Sequence, residues 1–156
     1  MREPVTAYLA LGANLGDAQA TVRSAIEAIA ANPDCELRKR SSLYRTAPVD
    51  AGGADYINAV VEIDTALTAP ALLRMLQVLE LQAGRERPYR NAPRTLDIDI
   101  LLFGDARMTS TALELPHPRM WGRAFVLVPL AQIAPLRVSA GQLQCVAEQA
   151  CLRLAD

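Results

Sequence analysis

Lysine is almost missing from this sequence, and long apolar runs are missing altogether. Lys39 is the only lysine among the 16 basic residues, and no Gly-x-x-x-x-Gly-Lys motif occurs. A P-loop nucleotide site needs that motif because its lysine reaches the phosphates, so this class of site is excluded. No apolar run approaches the roughly 20 residues that a membrane-spanning helix requires, and we expect no membrane segment.

Cysteine and histidine are also scarce. The cysteines are Cys35, Cys145 and Cys151, without a C-x-x-C pair, and His117 is the only histidine. A structural zinc site needs more ligands of this kind than the chain offers. The odd number of cysteines, together with the absence of a recognisable signal peptide, predicts free, buried thiols in a reducing, cytoplasmic environment.

Charge is balanced rather than concentrated in one sign. The net charge is −1 and the pI is about 5.9, which argues against a general nucleic-acid-binding surface. The 156 residues are 51% hydrophobic and 21% charged, and neither a repeat nor a linker is visible among them. This is an ordinary globular composition, so we expect one domain over residues 1–156.

Hydrophobic periodicity predicts an alternation of strands and helices. Predicted strands cover 5–11, 35–46, 56–65 and 96–102, and predicted helices cover 17–31 and 70–84. Residues 12–17 are interpreted as a connecting turn, 124–130 as a strand or short buried segment, and 142–152 as a closing helix. The order β-α-β-β-α-β, followed by extra elements, indicates an α+β fold in which helices pack on a mostly antiparallel sheet.

The strand predicted at 96–102 carries two carboxylates. Asp97 and Asp99 are two positions apart, so both project from one face of the strand. The other face is filled by Leu96, Ile98 and Ile100. Neighbouring carboxylates repel each other, and a hard divalent cation such as Mg²⁺ removes that repulsion. The alternative is an edge strand whose polar face is simply hydrated.

Arginines and the single histidine flank this strand in the sequence. The upstream segment contains Arg85, Arg87, Arg90 and Arg94, and the downstream segment contains His117 and Arg123. Paired carboxylates for Mg²⁺ beside several guanidinium groups indicate a site that handles a polyphosphate. Solvated surface charge is the alternative for the arginines, and a core or capping role is the alternative for His117.

The strand predicted at 56–65 places an aromatic ring beside an amide. Tyr56 and Asn58 share a strand face, where they could hold a flat heterocycle by stacking and hydrogen bonding. A structural role is the alternative for each. Glu80 falls in the last turn of its predicted helix, where the helix dipole disfavours an anion. We therefore expect a positive partner for it, either Arg85 or the donor groups of a ligand.

In these blocks the sequence resembles the 6-hydroxymethyl-7,8-dihydropterin pyrophosphokinase family. The resemblance is strongest over Pro93-Arg94-Thr95-Leu96-Asp97-Ile98-Asp99-Ile100-Leu101-Leu102, and further blocks are Ser41-Ser42-Leu43-Tyr44-Arg45-Thr46, Tyr56-Ile57-Asn58-Ala59 and Pro116-His117. It implies a ferredoxin-like α+β sandwich with additional helices. It also implies a folate-pathway enzyme that passes a diphosphate from ATP to the hydroxymethyl group of a pterin.

The resemblance also implies roles for individual residues. Asp97 and Asp99 match the carboxylates that hold two Mg²⁺ ions, and with Arg85 and Arg94 they are the expected catalytic residues. The expected pterin-binding residues are Thr46, Val49, Tyr56, Asn58 and Phe125. The expected ATP-binding residues are Gln77, Glu80, Arg85, Arg94, Ile100, His117 and Arg123. We expect a monomer that binds these small molecules and neither nucleic acid nor membrane.

The expected reaction is an in-line displacement at the β-phosphorus of ATP by the pterin hydroxyl oxygen, with AMP as the leaving group. A two-metal nuclease or nucleotidyl-transfer domain is one rival, and the acidic pI argues against it. A ligand-binding module without catalysis is the other. Such a module would have no need of both the paired carboxylates and the arginines.

Overall fold

The structure is a computed structural model, and it describes residues 3–47, 54–84 and 96–155. The strands are β1 (Val5–Ala13), β2 (Cys35–Arg40), β3 (Tyr44–Thr46), β4 (Tyr56–Thr65), β5 (Asp97–Phe103), β6 (Met108–Thr109), β7 (Glu114–Leu115) and β8 (Leu152–Arg153). The α-helices are α1 (Ala18–Ala31), α2 (Ala69–Ala83), α3 (Ala124–Ile133) and α4 (Ala140–Cys145). Short 3₁₀ turns cover Met120–Gly122 and Pro135–Arg137.

The main sheet has the strand order β5-β1-β4-β3-β8, and β2 also pairs with β4. Every strand pair in the described part of the chain is antiparallel. The chain places β1 and β4 in the centre and reaches the edge strand β5 only after α2, as the predicted β-α-β-β-α-β order requires. The α+β prediction, a ferredoxin-like sandwich with additional helices, is confirmed.

The two faces of the sheet pack against different helices. One core contains the β4 residues that were predicted to share a face, namely Ile57, Ala59, Val61 and Ile63, together with buried residues of α1 and α2. The other core contains Tyr8, Val60 and Leu101 together with apolar residues of α3. Both faces are therefore partly buried, and the second face is covered by a helix that follows the β-α-β-β-α-β unit in the sequence.

The first two helices begin where their capping residues predict. The Asp17 carboxylate accepts a hydrogen bond from the Ala20 N–H at 3.1 Å, which satisfies one of the unpaired donors of the first turn of α1. Gly16 precedes it with a φ of +58°, a conformation that favours glycine. The Thr68 hydroxyl accepts from the Ala71 N–H at 3.2 Å and caps α2 in the same way.

The predicted strand at 35–46 is divided into β2 and β3. At the break, the Ser41 N–H donates to the Val60 carbonyl at 2.9 Å, and the Ser41 hydroxyl accepts from the Val60 N–H at 2.9 Å. The serine side chain thus replaces a backbone partner of β4, and regular pairing resumes at Tyr44. The break depends on a serine hydroxyl that takes the place of a backbone group in the strand pairing. Hydrophobic periodicity does not reveal such a substitution, so the sequence pattern predicts one continuous strand.

Two predictions in the last third of the chain need correction. Residues 124–133 form helix α3, where the sequence favoured a strand or a short buried segment. The run is apolar on all sides and contains Pro129, so periodicity does not distinguish the two states. The closing helix is the short α4, which starts at the capping box of Ser139 and Gln142 and ends at Cys145. Beyond it the chain pairs with β3 as β8.

The three cysteines are free, as predicted, although their burial differs. Cys35 is buried, Cys151 is partly buried and Cys145 is exposed, so the expectation of buried thiols is wrong for Cys145. Burial raises the pKa of the Cys35 thiol and raises the pKa of Cys151 to about 11. In the described part of the chain, no helix combines the length and apolar character needed to cross a membrane.

Candidate active site

One row of residues crosses the open end of the second sheet face. Asn58 on β4 is paired with Gly12 on β1, and Gly12 is paired with Asp97 on β5. Paired residues in an antiparallel ladder point to the same face, and neighbouring strands lie about 4.8 Å apart. The amide and the carboxylate therefore stand about 10 Å apart with only a glycine between them.

The carboxylates of β5 project as the alternation predicts. Asp97 and Asp99 are exposed, while Ile98 and Ile100 are buried in the first core. Asp99 is paired with Ala10 on β1, so both carboxylates stand on the open face beside residues that lack a large side chain. The face prediction is confirmed, while metal binding by the pair stays a prediction beside the alternative of a hydrated edge strand.

His117 lies beside the second carboxylate. Its backbone N–H donates to the Leu101 carbonyl at 2.9 Å, which attaches this segment to the edge of β5. Its Nδ1 accepts from the Arg119 N–H at 3.1 Å, and its Nε2 is 3.8 Å from Asp99 Oδ2. Burial lowers the pKa of His117, and the Asp99 carboxylate offsets only part of that shift. When the ring is neutral, the acceptor at Nδ1 leaves the proton on Nε2, the nitrogen nearer Asp99.

Glu80 contacts the carboxylate strand from the opposite face. One of its carboxylate oxygens accepts a hydrogen bond from the Ile98 N–H at 2.8 Å. The sequence led us to expect Arg85 or a ligand as the partner of this anion, and the structure adds a backbone donor between Asp97 and Asp99. Glu80 thus fixes the edge of β5 at the position of the paired carboxylates. Gln77, one turn earlier on α2, is exposed.

The amide end of the row is buried and pre-arranged. Asn58 and Thr46 are each 5% exposed, and Asn58 Nδ2 donates to Thr46 Oγ1 at 2.7 Å. Tyr56 pairs with Thr46 on the same face and is partly buried. Because Thr46 occupies the amide nitrogen, the Asn58 oxygen is directed toward Gly12 and is available to a donor on a ligand.

Gly12 is a site residue that the sequence reasoning missed. The sequence placed it in a turn, whereas it lies within β1 and between Asn58 and Asp97. A Cβ at this position would lie 2.9 Å from Asn58 Oδ1, closer than side-chain contacts allow. Glycine therefore keeps the space beside the amide open. In the sequence, a glycine next to a predicted turn is explained equally well by the turn itself, so its role of keeping this space open could not be recognised.

The start of α3 brings two further predicted residues together. Arg123 precedes the first helical residue, and its guanidinium carbon lies 5.3 Å from the centre of the Phe125 ring. An arginine over an aromatic ring is favoured electrostatically. The predicted phosphate ligand and the predicted pterin-contacting ring are thus neighbours on one turn of the chain.

A cavity of about 250 Å³ opens beside Asp99 and His117. Its apolar wall includes Leu73 and Ile100, and the segment from Ser110 to Glu114 closes another side. The family resemblance implied Ile100 and His117 at the ATP site, whereas nothing in the sequence singled out the segment from Ser110 to Glu114. No motif marks a wall that is assembled from α2, β5 and a loop far apart in the chain.

Three predicted residues, Val49, Arg85 and Arg94, lie outside the described residues, and their roles stay predictions. Within residues 3–47, 54–84 and 96–155, no three His, Cys, Asp or Glu side chains are placed to hold a metal ion together. Two exposed carboxylates nevertheless suit Mg²⁺, which commonly binds through one or two protein carboxylates and completes its shell with phosphate oxygens and water.

Comparisons with known proteins agree on one family. The sequence model of 7,8-dihydro-6-hydroxymethylpterin-pyrophosphokinase (HPPK) matches residues 8–135. The 2-amino-4-hydroxy-6-hydroxymethyldihydropteridine pyrophosphokinase of Methylorubrum extorquens is 44% identical over 137 residues, which cover 87% of each chain. The protein of that name from Pseudomonas aeruginosa is 43% identical over 139 residues, covering 86% of this chain and 85% of the relative.

Solved structures show the same fold at much lower identity. A crystal structure of Plasmodium falciparum HPPK-DHPS with pteroate matches with a TM-score of 0.63 at 14% identity. The match covers 84% of this chain and 39% of that chain, so this chain spans about two fifths of the longer protein. At this identity the likeness shows the fold alone.

Proposed function

The chain belongs to the 7,8-dihydro-6-hydroxymethylpterin-pyrophosphokinase family, and we propose that it performs the family's reaction along the row from Asn58 to Asp97. That reaction transfers a pyrophosphoryl group from ATP to the hydroxymethyl group of the dihydropterin in folate synthesis. The observation that carries the assignment is the pairing of Asn58, Gly12 and Asp97. This pairing supports a site in which the pterin binds at Asn58 and the phosphates bind at Asp97, about two strand spacings away.

The pterin end is the buried amide. Asn58 is held by Thr46, so its oxygen meets the amide edge of a flat ring without a large loss of side-chain freedom. Tyr56 on β4 and Phe125 on α3 supply aromatic surface for the ring. The open space beside Gly12 gives the hydroxymethyl group a route toward β5.

The phosphate end is the carboxylate pair on β5. Asp97 and Asp99 would hold Mg²⁺, two ions by resemblance, and the metal would neutralise the negative charge of the phosphates during transfer. The protein contributes fixed positions, since the edge of β5 is bonded to Glu80 on one side and to His117 on the other. A carboxylate pair on a rigid strand positions the β-phosphorus for in-line attack.

His117 and Arg123 complete the phosphate end. A neutral His117 with its proton on Nε2 can donate a hydrogen bond to a phosphate oxygen near Asp99. Arg123 offers a permanent positive charge whose guanidinium fork matches phosphate geometry. Both groups stabilise the charge that accumulates on the departing AMP.

The cavity beside Asp99 suits the adenine ring of ATP. Its wall includes the apolar Leu73 and Ile100, and it also presents the Ser110 and Thr111 segment. Apolar walls with a few polar groups are typical of sites for flat heterocycles. The cavity adjoins Asp99 and His117, which is where the phosphates of a nucleotide bound there would emerge.

The assay that tests the proposal follows both products. Purified protein is incubated with ATP, Mg²⁺ and reduced hydroxymethylpterin, and nucleotides are separated by ion exchange. We expect AMP and the pterin diphosphate in equal amounts, no ADP, and no turnover when the pterin is omitted or Mg²⁺ is chelated. Formation of ADP would contradict diphosphate transfer, and nucleotide release without pterin would favour a hydrolase.

The expected monomer and the cytoplasmic location remain predictions. Light scattering on a size-exclusion column tests the first, with a single species near 16.9 kDa as the expected result. A species of twice this mass that persists on dilution would contradict it. Cell fractionation tests the second, with the protein recovered together with cytoplasmic markers.

A further inference from the structure

One side chain near the end of the chain contacts the beginning of α3. Gln149 Oε1 accepts a hydrogen bond from the Ala124 N–H at 2.9 Å, and Gln149 Nε2 donates to the Gly122 carbonyl at 2.9 Å. These two backbone groups flank Arg123. A single side-chain amide therefore binds the main chain on both sides of the arginine that the proposed function assigns to phosphate.

The bond to Ala124 supplies the cap that the helix start needs. The first N–H groups of an α-helix have no partner within the helix, and Ser, Thr, Asp or Asn normally supplies one from the preceding position. In α3 that position is Arg123, whose side chain is a donor only. Among the described residues, Gln149 provides the acceptor instead, and the arginine side chain is left to contact the Phe125 ring.

The segment that carries Gln149 is fixed at both ends. The Gln149 N–H donates to the carbonyl of Val146 at 3.0 Å, and Val146 is buried in the second core. On the other side β8 pairs with β3, with Arg153 opposite Tyr44. Strand β3 also carries Thr46 of the pterin end. The segment that carries Gln149 is thus connected, through β8, to the strand that carries that end of the site.

We propose that Gln149 is a positioning residue for the diphosphate transfer, which orients Arg123 by holding the backbone on either side of it. The inference rests on the proposed role of Arg123 at the phosphates. Gln149 lies beyond residue 135, where the match to the family model ends. Gln149, which lies outside the region matched by the family model, would therefore orient the Arg123 guanidinium inside the proposed site.

Kinetics of single and double variants test this coupling. Gln149→Ala and Gln149→Met remove both hydrogen bonds, and the second keeps the length of the side chain. We expect each to lower kcat about three- to tenfold, because partial misalignment costs less than loss of the arginine. Arg123→Ala should lower kcat more, and Arg123→Ala combined with Gln149→Ala should be no slower than Arg123→Ala alone. The loss in Gln149→Met should appear in kcat at saturating pterin, and the KM for pterin should change less.

A spectroscopic readout reports on the turn itself. Trp121 is the only tryptophan in the sequence; it adjoins Gly122 and is 37% exposed. Loss of the amide should increase acrylamide quenching of its fluorescence in Gln149→Ala and Gln149→Met. Gln144→Ala, a change of another exposed glutamine in the same region, is the control and should match the unmodified protein in both kinetics and quenching.

The outcomes separate this inference from the proposed function. The positioning role would be overturned, while the enzyme assay still succeeds, by either of two results. One is a normal kcat in both Gln149 variants. The other is a double variant that is slower than Arg123→Ala by the full factor seen in Gln149→Ala. If the unmodified protein forms no AMP, the proposed function fails first. Full activity of Arg123→Ala would remove the role of the arginine and, with it, this inference.

Discussion

Two adjacent regions of the second sheet face differ in whether the protein itself supplies the partners of their polar groups. The closed region lies beneath α3 and comprises Tyr8, Glu62, Val60, Ala10 and Leu101. In it the Tyr8 hydroxyl donates to Glu62 at 2.8 Å, and Arg137 lies over the Tyr8 ring at 5.5 Å. The protein itself thus supplies the partners of the polar group that this region buries.

The open region comprises Thr46, Asn58, Gly12, Asp97 and Asp99. The Asn58 amide nitrogen is held by Thr46 while its oxygen stays available to a ligand, and the two carboxylates face solvent. Helix α3 covers the closed region and leaves the open region accessible. We therefore interpret the closed region as structural and the open region as the proposed site. Substitutions in the open region should therefore change activity more than stability, and substitutions in the closed region should do the reverse.

The largest effect is expected from loss of either carboxylate. Asp97→Ala and Asp99→Ala should each lower turnover about a hundredfold or more, because they remove the proposed ligands of Mg²⁺. Both side chains are exposed, so their contacts should contribute little to stability, and the melting temperature should change by at most a few degrees. Initial rates of AMP formation and thermal melts measure the two effects.

Asp105→Ala is the matched control, since Asp105 is an exposed aspartate just after β5. It should keep full activity. Retention of more than about a tenth of the activity in Asp97→Ala or Asp99→Ala, a barrier change below roughly 1.4 kcal/mol, would contradict the assignment of the metal site.

The second effect concerns the pterin end. Asn58→Ala removes the amide that is proposed to meet the ring equally in the ground and transition states, so it should weaken pterin binding by roughly 1–3 kcal/mol and lower kcat less. Arg85→Ala and Arg94→Ala, predicted from the sequence alone, should lower kcat and leave pterin binding nearly unchanged. Titration with pterin and steady-state kinetics decide between these patterns. Unchanged pterin affinity in Asn58→Ala would mean that the pocket lies elsewhere.

The contrast between the regions also shows what the sequence could predict. Strand alternation correctly assigned Asp97 and Asp99 to one face of β5 and Tyr56 and Asn58 to one face of β4, because both are local properties of a strand. The pairing register places these two pairs on the same side of the sheet. Capping residues located the start of α1 for the same reason. The family blocks around these residues then supplied the reaction.

Properties that depend on neighbouring strands were not predictable in this way. Gly12 acquires its role from Asn58 on one side and Asp97 on the other, which only the pairing register determines. The helical state of 124–133 likewise depends on packing against the second sheet face. Gln149 binds the backbone of Gly122 and Ala124, on either side of Arg123, from 27 and 25 positions away in the chain, and it has no local signal.

The third effect tests the space at Gly12. In Gly12→Ala the new Cβ would be 2.9 Å from Asn58 Oδ1, so the amide must move and its bond to Thr46 is strained or lost. We expect pterin affinity to fall about tenfold, close to the cost of one hydrogen bond, while affinity for an ATP analogue is unchanged. Gly141→Ala is the control, because its Cβ would meet the Ser139 hydroxyl at an ordinary 3.9 Å. Unaltered pterin affinity in Gly12→Ala would show that the amide adapts without cost.

The smallest effect on activity is expected in the closed region. Tyr8→Phe removes the hydroxyl that donates to Glu62, at a cost of about 1 kcal/mol. For a chain of this length that corresponds to a fall of about 2–4 °C in melting temperature. Turnover should be unchanged, since Tyr8 lies on the far side of Ala10 from Gly12. A loss of activity larger than about twofold without a loss of stability would contradict the separation of the two regions.

The pH dependence of stability sharpens the same prediction. Burial, reinforced by Glu62, raises the pKa of Tyr8 above 10.0 in the folded protein. Above about pH 10 the unfolded chain releases the tyrosine proton while the folded chain keeps it, so stability falls as pH rises through that range. Tyr8→Phe lacks this contribution. Its stability deficit should therefore be full at pH 7 and shrink as the pH rises above 10, as measured by urea unfolding at both pH values. A deficit that stays constant would show that the Tyr8 hydroxyl is not held in its neutral form by the closed region.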